Sequence, residues 1–338
     1  MDRISGAALF LSLHLLLGFI SPAFASSSRP ASTDNPGVTT WSIPNVQHAY
    51  GLPHTRAKEK GTLSLNVDSV TFTSRSGDAS VPRLAITAVS SGNERIELWG
   101  MKGRILRAVI PDGGGIAAAG VMHHKVGMLT VEFADHDGAY HAAVFYLPAD
   151  DANRALTSLS QGPITHSEAA PAPCRGPSVE AGSVLVTAPS WDQAEVPAAY
   201  RALIYEHLVD RLQGLKGIGH VYREGEADGS HGCPQYTVHL AIAGFKQGSQ
   251  VKRAVMGPIG MFVGTTQMTF DATFTDATGR LNASEQLKAT VRGESENTDI
   301  ANSIAKRLAK RYDAVHKEFE KENIAAHHGN SGVQHVTQ

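Results

Sequence analysis

The segment Lys252-Arg253-Ala254-Val255-Met256-Gly257-Pro258-Ile259-Gly260-Met261-Phe262-Val263-Gly264 sets glycines among large apolar side chains behind two cations. Glycine-rich turns cradle phosphate when their N–H groups converge. Here the Walker pattern is missing, and an alternating stretch follows where a dinucleotide fingerprint needs a helix, so phosphate binding is not expected. Two readings stay open. In the first, Lys252, Arg253, Met256, Gly257, Ile259, Gly260, Met261 and Phe262 form a binding surface for a protein partner or a membrane, with the cations at lipid headgroups. In the second, the loop folds back and buries its side chains, because large exposed apolar patches are uncommon on soluble monomers.

Histidines raise the question of a metal. His123-His124, His136 and His141 lie near Glu132, Asp135 and Asp137. A zinc centre needs three or four converging ligands, and no recognised ligand spacing occurs here. The expectation is solvated histidines on a β surface and no metal. Asp135-His136-Asp137-Gly138 is too short for a calcium loop and reads as hairpin turn chemistry. His327-His328 and His335 fall in a polar tail. Nucleophile chemistry has no signature either: Ser190, Ser230 and Ser249 sit in no nucleophile-elbow pattern. Asp228 and His231 belong to a Gly/Ser loop where turn residues are expected. No catalytic residue and no cofactor is assigned.

The elements that must position these residues follow from hydrophobic rhythm. Arg3, the apolar run Ala7 to Ile20 and Ala23-Phe24-Ala25 before Ser26 have the order of a secretory signal peptide, residues 1–25. The expected location is therefore exported, periplasmic or secreted. Residues 26–58, rich in Ser, Pro and Thr, read as a flexible leader, with Trp41 and Tyr50 available to pin part of it. From 59 to 160 the period is two: Leu63, Leu65 and Val67, then Val70 and Phe72, then Leu84, Ile86 and Ala88. Ile96 and Leu98 follow a turn at Ser91-Gly92-Asn93. Leu129, Val131 and Phe133 lead through the Asp135 turn to Ala143, Phe145 and Leu147. Ala152, Ala155, Leu156 and Leu159 then share a helical face.

Residues 161–182 carry Pro163, Pro171, Pro173 and Pro177 and read as a linker. Beyond it, 183–320 reads as β-α-β-β-β-β-α. The first helix follows Pro197, with Tyr200, Leu203, Ile204, His207, Leu208 and Leu212 as its stripe. The last carries Ile300, Ile304, Leu308, Tyr312, Val315 and Phe319, with Lys306, Arg307, Lys310 and Arg311 on its solvated side. Such an order builds an α/β sandwich with helices on one face of a mixed sheet. Residues 321–338 read as a disordered tail. The expectation is two domains with separate cores.

Seven or so strands closed by a helix, with the stretch Leu129 to Leu159, resemble the pleckstrin-homology-like (PH-like) fold, including its bacterial and GRAM-type versions, as an antiparallel sheet or barrel. The second half is similar to an uncharacterised family of exported bacterial domains often found in lipoproteins. Arg253, Gly257 and Gly260, the strand Met268 to Phe274, and Asp276-Ala277-Thr278-Gly279-Arg280-Leu281 carry that resemblance. It implies a fold and no activity.

The net charge of -2 supplies no one-sign field for nucleic acid. No apolar run after Ile20 is long enough to span a bilayer. The two cysteines, Cys174 and Cys233, are expected to pair in an oxidising compartment. That bond would close a loop of about 60 residues, worth about 4 kcal/mol. Together these features describe a non-catalytic exported binding or scaffolding protein of the bacterial envelope. The alternatives are a membrane-surface protein using 252–264, and a hydrolase with dispersed residues.

Overall fold

The computed structural model describes residues 40–97, 123–160, 178–190, 194–226, 233–249, 264–291, 296 and 298–330. Seven strands come first: β1 (Trp41–Tyr50), β2 (Lys60–Leu65), β3 (Ser69–Ser74), β4 (Asp78–Pro82), β5 (Ile86–Glu97), β6 (His123–Ala134) and β7 (Tyr140–Leu147). Helix α1 (Ala149–Ser160) closes the series. The strands make one antiparallel sheet in the order β4-β3-β2-β1-β7-β6-β5. Among the described residues β4 and β5 do not pair, so the sheet is open and not a closed barrel.

Three sequence expectations change here. Residues 41–58 are not leader: β1 is a central strand between β2 and β7, with Ile43, Val46 and His48 buried. Its alternation is hidden by an irregularity between Ile43 and Val46, where Pro44 cannot donate and Asn45 turns to φ 59°. Likewise β5 runs unbroken through Ser91-Gly92-Asn93, paired with β6 along its length. Leu84, expected inside a strand, lies in a 3₁₀ turn and is 73% exposed.

The second half contains β8 (Val179–Val186), α2 (Ala198–Gln213), β9 (His220–Arg223), β10 (Cys233–Lys246), β11 (Thr266–Asp276), β12 (Asn282–Val291) and α3 (Asp299–Asn330). Its sheet has the order β12-β11-β10-β8-β9, with β8 parallel to both β9 and β10. This is the expected β-α-β-β-β-β-α order in a mixed sheet. Alternate residues Tyr236, Val238, Leu240 and Ile242, and Met268, Phe270, Ala272 and Phe274, are buried. The intervening Thr237, Thr269, Asp271 and Thr273 are less buried. Ile300, Ile304, Leu308, Tyr312 and Val315 of α3 join the same core. Helix α3 continues to Asn330, past the point where a tail was expected, and β8 starts inside the expected linker.

The two sheets do not have separate cores. Val126, Met128, Ala142, Val144 and Tyr146 of β6 and β7 belong to one apolar cluster with α2, α3 and the second sheet. The other faces of the same two strands, with Leu129, Val131, Phe145 and Leu147, line the interior under α1. Helix α2 is the reason. Ala199, Tyr200, Ala202, Leu203, Tyr205, Glu206, Leu208, Val209 and Leu212 are all buried, on every side of the helix. A helix with buried residues on every side needs cover from more than one layer, and α2 touches both sheets. Residues Val38–Gln338 accordingly form one compact unit. Among the described residues no helix is long and apolar enough to cross a membrane.

Candidate functional site

Where β1 leaves β7, the chain must turn sharply. Gly51 does so at φ 93°, and a Cβ there would stand 2.0 Å from the Ala142 carbonyl oxygen. Beyond the turn, β7 has lost its neighbour, and the Ala142 N–H donates to Glu206 Oε1 on α2 at 3.0 Å. Arg223 of β9 meets the same carboxylate with both terminal nitrogens, at 3.0 and 2.9 Å. It also donates to the Tyr140 carbonyl at 3.0 Å and lies over the Tyr205 ring. Burial pushes the Glu206 carboxyl up against the pull of Arg223. Burial also opposes the charge on Arg223, but the carboxylate more than offsets this and holds its pKa above the usual value. The pair ties three elements together and is shielded from solvent, so its role is architectural.

Beside this junction lies a cleft of about 290 Å³. Gln47, Ala49 and Tyr50 of β1, Ala57 and Lys58 of the β1–β2 connection, Tyr146 of β7, and Leu203 and His207 of α2 line it. Glu296, Thr298, Asp299 and Asn302, at and just before the start of α3, complete the lining. The β1–β2 connection is held by a buried histidine. His48 is 1% exposed. Its Nδ1–H donates to the Arg56 carbonyl at 3.0 Å, and its Nε2 accepts from Leu52 N–H at 3.0 Å. Those two bonds require the neutral ring protonated on Nδ1. Burial holds the His48 pKa below its ordinary value, against the pull of the Arg56 carbonyl. The Lys58 N–H also donates to the His48 carbonyl at 2.8 Å. Within this connection His54 and Lys58 sit at φ 57° and 65°, a costly conformation for non-glycine residues that the surrounding bonds must enforce.

The side chains in the cleft are partly committed. Tyr50 packs on His207 with ring centroids 4.0 Å apart. Burial, and then a hydrogen bond to Asp210, raise the Tyr50 hydroxyl pKa. The Tyr146 hydroxyl shares a 3.1 Å hydrogen bond with Thr298, tying the start of α3 to β7. Burial, and then the nearby Arg211 charge, bring His207 down to about 4, so the ring is neutral at pH 7. Arg211 reaches across to Asn302 Oδ1 at 2.5 Å. The arrangement offers aromatic faces, amides and charges of both signs around a small open volume. That is the composition of a binding pocket.

Most residues singled out from sequence lie elsewhere. Lys252, Arg253, Met256, Gly257, Ile259, Gly260, Met261 and Phe262 fall outside the described residues, as do Cys174, Asp228, Ser230, His231 and His335. The side chains of His123, His124, His327 and His328 also fall outside them. Cys233 is buried at the start of β10, its N–H donating to the Ser178 carbonyl at 3.0 Å. Ser190 forms an isolated bridge with Ala241, and the Ser249 N–H donates to the Gly264 carbonyl. On the last helix, Arg307 donates to the Lys288 carbonyl and Arg311 pairs with Glu285, so part of the expected solvated face is engaged with β12.

The ligand atoms of Asp135, His136 and Asp137 lie within 4.8 Å of one another. Both Asp135 oxygens are already used. Oδ1 accepts from Asp137 and Ala139 N–H at 2.9 Å, and Oδ2 lies 3.2 Å from His141 Nε2. His141 departs from the expectation of a solvated ring: it is 8% exposed and stacked on Phe133. Burial, and then Arg223, take it down to about 4. In the cleft, Tyr50 and His207 are each visible from sequence, but nothing in the sequence joins them. Lys58, Glu296 and Asp299 carry no signal there, because no periodicity or spacing links them.

No protein-family model matches the chain, and no curated protein does. Among solved structures, the PelC dodecamer from Paraburkholderia phytofirmans is similar over 40% of this chain and 90% of that one, at 18% identity and a TM-score of 0.28. A variant of the same protein covers 40% and 89%, at 18% identity and a TM-score of 0.26. A crystal structure of an uncharacterized protein covers 40% and 91%, at 12% identity and a TM-score of 0.23. None of these TM-scores reaches 0.5.

Proposed function

We propose that this chain is an exported, non-catalytic binding protein of the bacterial envelope that holds its ligand in the cleft between β1 and the start of α3. The single observation behind this reading is the cleft itself: aromatic, amide and charged side chains from both halves converge on about 290 Å³ of open space. The signal-peptide pattern of residues 1–25 supports export. Seven antiparallel strands followed by a helix support a PH-like reading of the first half, and the β-α-β-β-β-β-α order supports the exported-domain resemblance of the second. The test is native mass spectrometry of the mature protein purified from the envelope. A bound small molecule is expected, and Ala57→Trp, at the exposed rim, is expected to release it. Wild type and variant emerging equally empty would refute the reading.

A second reading, contact with a membrane surface, is favoured by where strands end. Tyr200 donates to Glu94 of β5 at 3.0 Å, and its ring lies 5.0 Å from that of Phe245 on β10. Both partners are within a few residues of their strand ends. The ends of β5 and β10 are thus both tied to Tyr200, and in the sequence they are followed by the apolar, glycine-rich stretches 98–122 and 251–263. Co-sedimentation with anionic vesicles tests this. Binding by the wild type that is lost in Phe262→Asp supports it, and no binding by the wild type removes it.

A further inference from the structure

One side of the cleft is a strap with a single fastening. The chain between β1 and β2 is held at its ends by backbone: Gly51 turns at φ 93°, the Lys58 N–H donates to the His48 carbonyl at 2.8 Å, and the His48 N–H donates to the Glu59 carbonyl at 2.8 Å. Between these ends, among the described residues, the hydrogen bonds that tie 52–57 to the rest of the chain both go to the His48 ring, from the Arg56 carbonyl and the Leu52 N–H. The Thr55 bonds, to the Leu52 and Pro53 carbonyls, stay inside the strap. Ala57 and Lys58 line the cleft.

This fastening exists in one protonation state. A proton added at Nε2 sets two donors face to face, the ring N–H and the Leu52 N–H 3.0 Å away. Leu52 is held in place, since its side chain is 5% exposed and packed in the interior of the first sheet. The ring must therefore turn, and its Nδ1–H leaves the Arg56 carbonyl. Phe72 of β3 and Phe145 of β7 pack on His48 with ring centroids 6.0 and 5.7 Å away, and neither carries a charge to hold an imidazolium. Burial disfavours the proton most strongly, and the Arg56 and Tyr50 backbones and the Glu59 charge favour it less. The Glu59 carboxylate is itself taken by the Ser76 N–H and hydroxyl at 3.0 and 2.5 Å. Arg56 and Lys58, the strap's own cations, oppose a second positive charge beside them, and His54 joins them in acid.

We propose that protonation of His48 unfastens Pro53–Ala57, so that acid opens this side of the cleft and loosens what the cleft holds. This is the regulation of the site read above and rests on that reading. The strap is fastened at pH 7 and is released only below the ordinary histidine range of about 6.5. Once free, the left-handed backbone of His54 has nothing to enforce it.

The experiment is residue-resolved amide exchange by NMR on the mature protein from about pH 7.5 to about pH 4, corrected for the intrinsic rate, beside titration of the His48 ring carbons. The Leu52 and Thr55 amides are expected to lose at least about tenfold in protection as the His48 ring titrates, while the β10–β11 ladder keeps its own. His48→Gln, whose carboxamide offers a donor and an acceptor and does not titrate, is expected to stay fastened throughout. His48→Phe keeps a ring without either bond and is expected to expose Leu52 and Thr55 already at about pH 7.5. Protection that is unchanged through the ring's titration overturns the proposal. So does an acid response that survives in His48→Gln, which would belong to His207 or His141. If His48→Gln does not fold, the wild type decides: loss of Leu52 protection at the His48 midpoint supports the proposal, and loss at another pH overturns it. A strap that opens in acid beside a cleft that mass spectrometry finds empty supports the latch and refutes the cleft reading. A ligand that Ala57→Trp releases, beside a strap that acid leaves closed, does the reverse.

Discussion

The buried pair Glu206–Arg223 joins the two sheets, and removing one member should be severe. In Arg223→Met, the Glu206 carboxylate, 4% exposed, keeps one donor, the Ala142 N–H at 3.0 Å. The Tyr140 carbonyl also loses its Arg223 partner. Stranding one member of a buried pair costs about 3–5 kcal/mol. Part of that is recovered as pH falls. The Glu206 pKa is already raised in the fold, so the native state takes up a proton more readily than the unfolded chain. The penalty in Arg223→Met should therefore shrink between pH 7 and pH 5. The double variant Glu206→Met/Arg223→Met leaves no charge inside, and its remaining cost is the unpaired Ala142 N–H and Tyr140 carbonyl. It should be at least about 2 kcal/mol more stable than the sum of the single losses predicts. Urea unfolding followed by circular dichroism and by tyrosine fluorescence measures this. If α2 welds both sheets into one core, the two probes give one transition. An Arg223→Met variant within about 1 kcal/mol of wild type, or single losses that simply add, would falsify the argument.

His141 and His207 both titrate near 4 in the fold because burial disfavours the charged ring, so their stabilising contribution is complete above about pH 6.5 and is lost as pH falls toward 4. A tenfold weaker hold on the ring proton is worth about 1.4 kcal/mol, and His141→Phe should flatten this part of a urea-midpoint profile against pH. Gly51→Ala places a methyl group 2.0 Å from a backbone oxygen at a positive φ, so a loss above about 2 kcal/mol is expected in the same assay, and a near-neutral result would contradict the tight turn. Thiol titration in guanidinium without reductant should find no free thiol, since Cys233 stands in register opposite Val179, the first residue of β8, and Cys174 precedes Val179 by a few residues in the chain. Two reactive thiols per chain would rule the bond out.

What is legible in the chain is whatever repeats locally. The β-α-β-β-β-β-α order, the apolar stripe from Ile300 to Val315 and the Asp135 hairpin each have a period or a turn residue, and each is found in the fold. Strand β1 escapes because Pro44 and a left-handed Asn45 break its alternation, so Ile43, Val46 and His48 do not read as one face. Strand β5 reads as two because Ser91-Gly92-Asn93 has turn composition, yet its pairing with β6 carries it through.

The shared core is also written in the sequence, in a form that a stripe search passes over. Tyr200, Leu203, Ile204 and Leu208 read as one face of α2, but Ala199, Ala202, Tyr205 and Val209 fill the remaining faces, and Glu206 is the polar residue among them that is held by Arg223. A helix whose apolar residues lie on more than one face needs more than one layer to cover them. In this half of the chain one sheet supplies a single layer. The missing cover had to come from elsewhere, and the near-continuous run Ala142 to Leu147 is a strand with two apolar faces and the same deficit. The two unmet surfaces are each other's solution. The cleft is then a consequence of their docking: where α2 stops shielding β1 and α3 begins, the layers part and leave side chains from four elements around one opening.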